Sequence, residues 1–199
     1  MRGPLGWVIW RWSSLKSRRD RLRYIWLSQA FEKAGRGGVI GRRVQFMGNM
    51  TIELGDRVGI RDGCKFAGYG LIRIGRGTAI NDDCIITAME SVEIGSDVML
   101  APRVYILDVD HKFSDPDIPI SRQGYEVAPV FIEDGVWVGA GTVITRGVRV
   151  GRGAVIVQND WSRKSLCLVY RRFSDWFYHA GDQGQSDGHA TWLRGRWIT

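Results

Sequence analysis

One histidine, His111, stands in the stretch Asp108-Val109-Asp110-His111-Lys112-Phe113, far from His179 and His189 near the end of the 199-residue chain. A neutral imidazole can accept a proton near pH 7, and it can also ligate a metal. A histidine-held metal centre needs about three such ligands around one ion, and this region offers one. Proton transfer is therefore the chemistry to test, and no metal is expected. The flanking Asp108 and Asp110 read as solvated loop carboxylates that could orient the ring or touch an acceptor. Upstream, Asn81-Asp82 offers an amide, and downstream Trp137-Val138-Gly139-Ala140-Gly141 offers an aromatic wall and a tight backbone turn.

The elements that must hold these groups are written in a repeat of six. Leu54, Ile60, Phe66, Ile74, Ile80, Ile86, Ile94, Leu100, Ile106, Ile132, Val138, Ile144, Val150 and Ile156 recur at that interval, with two steps lengthened by two residues and one long gap. Two positions before each sits a small or β-branched residue, from Ile52, Val58 and Cys64 through to Ala154. Three such hexapeptides make one turn of a three-sided parallel β-helix, each rung supplying a short strand and a corner. Gly55, Gly75, Gly95, Gly139 and Gly151 fill the slot after the large residue. The same rule projected backward predicts Ile40 and Phe46 as inward residues and starts the β-helix near residue 38. From Ile106 to Ile132 the pattern pauses and then resumes, so the segment 107–131, which contains His111, is expected to be extruded. A loop held on a rigid scaffold is a natural carrier of function.

Charge is unevenly distributed. Residues 1–43 carry eleven Lys/Arg against two acidic residues, residues 44–160 eleven against sixteen, and residues 161–199 six against three. Within 14–34 an amphipathic helix is expected, with Leu15, Leu22, Ile25, Trp26, Gln29 and Ala30 on its apolar side and Arg18, Arg19, Arg21 and Arg23 interleaved. Such a helix would cap the open end of the solenoid. With Trp7, Trp10 and Trp12 it also has the composition of a peripheral membrane contact through residues 1–34. No signal peptide or transmembrane span is expected. No nucleic-acid-binding module accompanies the basic charge. Cys64, Cys84 and Cys167 lack metal-ligand spacing; the first two fall on the inward register and read as reduced core thiols of a cytoplasmic protein. The three expected segments are the basic region 1–37, the β-helix 38–160, and an atypical Trp-rich tail 161–199 in which 166–178 forms a short helix or strand over the last coil.

Asn81-Asp82, Ala101-Pro102, His111, Pro119-Ile120, Gln123-Gly124 and the run Val130-x-Ile132-x-x-Gly135-Val136-Trp137-Val138-Gly139-Ala140-Gly141 resemble the hexapeptide-repeat O-acetyltransferases, the group of galactoside, maltose and bacterial surface-polysaccharide acetyltransferases. The match covers residues 38 to about 158. The resemblance implies a left-handed parallel β-helix, a homotrimer with sites in clefts between subunits, and direct transfer of acetyl from acetyl-CoA to a sugar or glycan hydroxyl. It implies His111 as general base, Asn81 on the acceptor side, and a coenzyme site that includes Trp137, Gly139, Ala140, Gln158 and Lys164, with the Ala140 N–H facing the thioester oxygen. Arg146, Arg149 and Arg152 are further candidates for coenzyme phosphates. The implied location is the cytoplasm, at the inner face of the membrane where the acceptor is lipid-linked. An amino-sugar N-acetyltransferase and a non-enzymatic β-helix protein remain the alternative readings. After Gln158 the chain departs from the family pattern, so either the tail replaces the residues that normally flank the pantetheine arm or coenzyme binding is weakened.

Overall fold

In a computed structural model, the described residues are 18–159 and the backbone of two later strands, Leu166–Arg171 and Phe177–Ala180; side chains are described as far as residue 156. The tryptophans Trp7, Trp10 and Trp12, the residue Lys164 and the side chain of Gln158 lie outside that description. The repeat folds as expected, into a triangular parallel β-helix behind an N-terminal helical segment. Its first face stacks Lys33–Ala34, Thr51–Leu54, Leu71–Ile74, Ser91–Ile94, Val130–Ile132 and Arg149–Val150. The second stacks Val39–Ile40, Gly59–Ile60, Ala79–Ile80, Met99–Leu100, Trp137–Val138 and Ala154–Asn159. The third stacks Gln45–Met47, Lys65–Gly68, Ile85–Ala88, Tyr105–Leu107 and Val143–Ile144. The ladder opens at Lys33, a few residues before the first residue with an inward aliphatic side chain, because Lys33 and Ala34 pair with Glu53 and Leu54 along the backbone and Lys33 Nζ also donates to Glu53 Oε1 at 3.1 Å.

Ile40 and each large residue of the repeat from Leu54 onward are buried, and from Ile52 onward the register two positions earlier is buried with them apart from the half-buried Val148, whereas Phe46 and Val44 in the first coil are half-buried against the core. Polar members of that inner register are satisfied locally. Thr78 Oγ1 donates to Gly95 O at 2.7 Å, and Thr142 Oγ1 to Gly139 O at 2.8 Å. The thiols of Cys64 and Cys84 donate to Asn81 O and Ala101 O, at 3.0 and 3.2 Å. Hydrogen bonding to the neighbouring thiol and burial keep Cys64 protonated.

Two kinds of corner glycine appear. A Cβ on Gly75 would run into the backbone of Gly95, so the slot after the large residue is set by coil-to-coil approach. Three residues after most of the large side chains of the first and second faces the backbone turns left-handed, as at Gly63, Gly77 and Gly135, and also at Arg57, Asp83 and Asp97. Corner carboxylates staple coils together: Asp62 accepts from Arg42 N at 3.0 Å, Asp56 from Arg36 N at 2.6 Å, and Asp134 from Ser96 N at 2.8 Å.

The helix over 18–27 continues through a 3-10 turn at Ser28–Ala30 and closes the lower end of the prism. Tyr24 does this, lying against Gly38 and donating its hydroxyl to Gly35 O at 2.5 Å; burial and the nearby Asp56 carboxylate push its phenol pKa up. Phe31 extends the cap through Phe46, which stacks on Phe66 at 5.1 Å. The apolar side of the helix, Leu22, Ile25 and Trp26, faces outward. Tyr24 can satisfy its hydroxyl at the coil edge, and Arg23 can reach Ile40 O at 2.7 Å, so the more polar side of the helix matches a rim of unpaired backbone carbonyls. At the other end Leu166–Arg171 adds antiparallel to Ala154–Asn159, and Phe177–Ala180 to Leu166–Arg171, so that part of the tail is strand rather than helix.

Truncating Ile86, which has no exposed surface, to Ala is expected to cost about 2–5 kcal/mol in chemical denaturation through cavity formation. The outward Val143→Ala on the same face is expected to stay within about 0.5 kcal/mol.

Candidate active site

The two extra residues of the early coils all lie at the corner between the third and first faces, at Gly48-Asn49-Met50, Gly68-Tyr69-Gly70 and Ala88-Met89-Glu90. The extruded segment leaves from this same widened corner one coil higher. There it forms an antiparallel arm, Val109–His111 against Tyr125–Val127, tipped by the short helix Ile120–Gln123. Gln123 ties the tip, accepting from Asp115 N at 3.1 Å and donating to Asp115 O and Ile118 O at 2.8 and 2.6 Å.

Asp108 anchors the arm, and it is fully buried rather than solvated. Its two carboxylate oxygens accept from Met89 N and Glu90 N, each at 2.7 Å, and its carbonyl accepts from Ala128 N at 2.9 Å. Ala128 O in turn accepts from Gly147 N at 3.0 Å in the coil above. The base of the arm is thereby fixed to the coil below and the coil above. Arg146, from that upper coil, clamps both arm strands: its Nη2 pairs with Glu126, and its buried Nε lies 3.2 Å from Asp110 Oδ2 as an ion pair without hydrogen-bond alignment. Asp110 and Glu126 are themselves directly opposed across the arm. Arg146 is therefore engaged in protein contacts. So are Arg149, which sits over the Phe131 ring at 4.3 Å beside Glu133, and Arg152, paired with Asp134 at 2.9 Å.

His111 ends its strand, exposed, with its ring 4.6 Å from that of Tyr125 directly opposite. Around it the arm presents Phe113, Ile118, Ile120 and Tyr125 to solvent, Phe113 at 73 % exposure.

The other site candidates gather at a different corner, between the second and third faces. Asn81 there is half-buried and donates Nδ2 to Leu100 O at 2.8 Å, one coil up. Two coils above Asn81 come Gly139, whose N–H donates to Ile156 O at 2.7 Å, and the exposed Ala140. Trp137 leads into that corner on the second face, outward-facing between Met99 and Val155. Gln158 lies in the next rung, whose backbone is paired on both edges. One chain thus brings Asn81, Trp137, Gly139 and Ala140 to one corner and His111 to another, with the third face between them. Spacing in sequence gave no sign of this division. Asp108 was visible in the sequence only as a loop acid and Arg146 only as a candidate for coenzyme phosphates, and nothing in the sequence showed that they anchor the arm. Among the described residues no group of three His, Cys, Asp or Glu side chains could hold a metal ion.

No family model matches the chain. It is 28 % identical to galactoside O-acetyltransferase of Lactococcus lactis over 156 residues, 72 % of this chain and 74 % of that one. It is 34 % identical over 106 residues to a putative lipopolysaccharide biosynthesis O-acetyl transferase of Escherichia coli, 50 % of this chain and 54 % of that one. The chain is thus similar to proteins named acetyltransferases. It is also 34 % identical over 105 residues to a probable acetyltransferase of Mycobacterium tuberculosis, spanning 53 % of this chain and a third (33 %) of that protein. Among solved structures, AntD, an N-acyltransferase from Bacillus cereus in complex with dTDP and 3-hydroxybutyryl-CoA, shares the fold at a TM-score of 0.54 and 18 % identity, covering 68 % of this chain and 82 % of that one.

Removing the anchor in Asp108→Ala is expected to destabilise the protein by about 3 kcal/mol, two charge-assisted hydrogen bonds at ~1.5 kcal/mol each. Amide exchange should rise at Met89 and Glu90 and along the arm, while the first coils keep their protection.

Proposed function

We propose that the chain is an acetyl-CoA-dependent O-acetyltransferase that acylates a sugar hydroxyl of a bacterial surface polysaccharide or its lipid-linked precursor, working as a homotrimer in the cytoplasm. The observation that carries the reading is the rigidly anchored arm that holds one imidazole clear of an otherwise regular scaffold, in a chain whose relatives are named acetyltransferases.

In this reading His111 accepts the proton of the acceptor hydroxyl as that oxygen attacks the thioester carbonyl. A thioester is already activated, so the tetrahedral intermediate forms directly and collapses by expelling the coenzyme A thiolate, which takes up the proton held on the imidazole. Asn81 lines the acceptor side, where its Oδ1 is left to accept from a sugar hydroxyl once Nδ2 is committed to Leu100 O. Trp137 forms a flat wall for the coenzyme, and Gly139 and Ala140 shape the turn beside the thioester; the family resemblance adds Gln158 and Lys164 to the coenzyme-binding set. Stacking and backbone contact of this kind position the donor without a covalent intermediate.

Because His111 and Asn81 leave one chain from different corners, a complete site needs the arm of one copy laid against the Asn81 corner of another. Three copies around a cyclic axis would close three such clefts, and the exposed Phe113, Ile120 and Tyr125 supply apolar surface for the contact. Transfer to an amine uses the same geometry, so the acceptor decides between the O- and N-linked products.

The test is coenzyme A release from acetyl-CoA over a panel of hydroxyl and amino sugars. His111→Ala is expected to lower kcat by about 10²–10⁴-fold, and equal turnover would remove the proposed base. Co-expressing His111→Ala with Asn81→Ala tests the shared site: random assembly leaves about a quarter of interfaces with both groups intact, so about a quarter of parental activity should return. A site contained within one chain would recover none.

A further inference from the structure

The outward side of the N-terminal helix is unaccounted for by the fold or by acyl transfer. Leu22, Ile25 and Trp26 stand at i, i+3 and i+4, forming one stripe that is 67 %, 59 % and 73 % exposed. On the opposite side Tyr24 and Leu27 dock on the first coil, so the stripe points directly away from the prism. Arg18, Arg19 and Arg21, all exposed, border it. The first coil beneath adds the exposed Arg36 and Arg43 and the outward Met47. Over residues 18–47 there are eight Lys/Arg against two acidic residues, whereas residues 44–160 are net acidic. The chain preceding the helix, residues 1–17, carries Arg2, Arg11 and Lys16, no acidic residue, and Trp7, Trp10 and Trp12. Among the described residues no helix is long and apolar enough to cross a membrane.

We propose that this helix face is a docking surface for an anionic lipid bilayer, with Leu22, Ile25 and Trp26 seated among the acyl chains and Arg18, Arg19 and Arg21 at the phosphates. An apolar centre with a cationic border is the pattern that lies in the plane of a lipid interface, the long arginine stems reaching outward from the apolar stripe to the headgroups. Charge decides against a second copy of this chain as the occupant. A self-complementary contact would bring two borders of arginine face to face, whereas lipid phosphates neutralise them. The acidic remainder of the β-helix is repelled by the same surface, so the prism stands end-on with the basic end down. Neither His111 nor Asn81 enters the inference, which stands apart from the acyl-transfer reading.

The experiment is cosedimentation of the full chain with vesicles of phosphatidylcholine alone and with about a third phosphatidylglycerol. The parent is expected to partition onto the anionic vesicles, to be released by high salt, and to leave neutral vesicles largely unbound. Leu22→Ser/Ile25→Ser/Trp26→Ser should lower the anionic partition by about tenfold or more with unchanged thermal unfolding and unchanged mass in light scattering. Should that variant fail to fold, Arg18→Glu/Arg21→Glu replaces it, with the same loss expected. Partitioning equal to the parent in the folded variant would overturn the proposal, because binding would then reside outside the face. So would a parent that ignores anionic vesicles, or a variant whose assembly mass falls, which would assign the stripe to another copy.

Discussion

Every coil must approach the next at the spacing of hydrogen-bonded strands, and this one constraint reaches all parts of the structure. Strand spacing of about 4.8 Å leaves no room for side chains at inward corners, so glycine occupies the slots where one backbone lies on another. It also forces residues 20 apart in the early coils to share an environment, which is why aliphatic side chains stack on aliphatic ones through the core and why charges alternate outside. Glu53 takes hydrogen bonds from Arg73 and Lys33, and Arg73 also bonds Glu93, a ladder running up the first face. Those hydrogen bonds hold the Glu53 carboxyl below the usual carboxylate range, yet the groups are exposed and the ladder reinforces register more than stability.

A solenoid so tightly constrained tolerates an insertion only where the coil is already loose. The third corner is such a place, since each early coil spends two additional residues there and turns through Gly48 and Gly68 with positive φ. Excursion from this corner leaves the three stacked faces in phase above and below it. The free ends are then resealed: Asp108 caps the amides of the widened corner underneath, and Ala128 accepts from Gly147 overhead. Arg146 neutralises Asp110 and Glu126, two like charges placed opposite each other across the arm. The result is a loop with the positional definition of an element, which proton transfer requires to within fractions of an ångström.

The core was legible because burial in a period of six is a one-dimensional signal. Leu54 through Ile156 could be placed from the sequence, and Ile40 as well, since nothing but inward packing explains that spacing. The second glycine slot and the corner aspartates Asp56, Asp62 and Asp134 were equally periodic but were hidden by substitution: arginine and aspartate also adopt the left-handed turn at Arg57, Asp83 and Asp97, so no single residue type marks it. Hydropathy marks the apolar side of the helix but leaves open which side docks: the rim of a β-helix presents unpaired carbonyls, and Tyr24 and Arg23 meet them better than leucine could. Asp108 escaped because an acid in a loop reads as solvated until the amides it caps come from a neighbouring coil nineteen residues back.

The division of the candidate site follows from the same geometry. A three-sided prism has corners that face apart, and a face of four extended residues holds two corners roughly 13 Å from each other. Asn81 and His111 are joined in one site by the resemblance, yet chain distance in a solenoid measures corner and level separately. Thirty residues from Asn81 to His111 is one coil plus part of the next, hence one level up and one corner around. Levels are close, corners are not. A single prism therefore lacks the means to converge two side chains from different corners, which is why the proposed site takes its second half from an identical neighbour. In that proposal association is part of forming the site, and the arm that would reach across is rigid at its base and apolar at its tip.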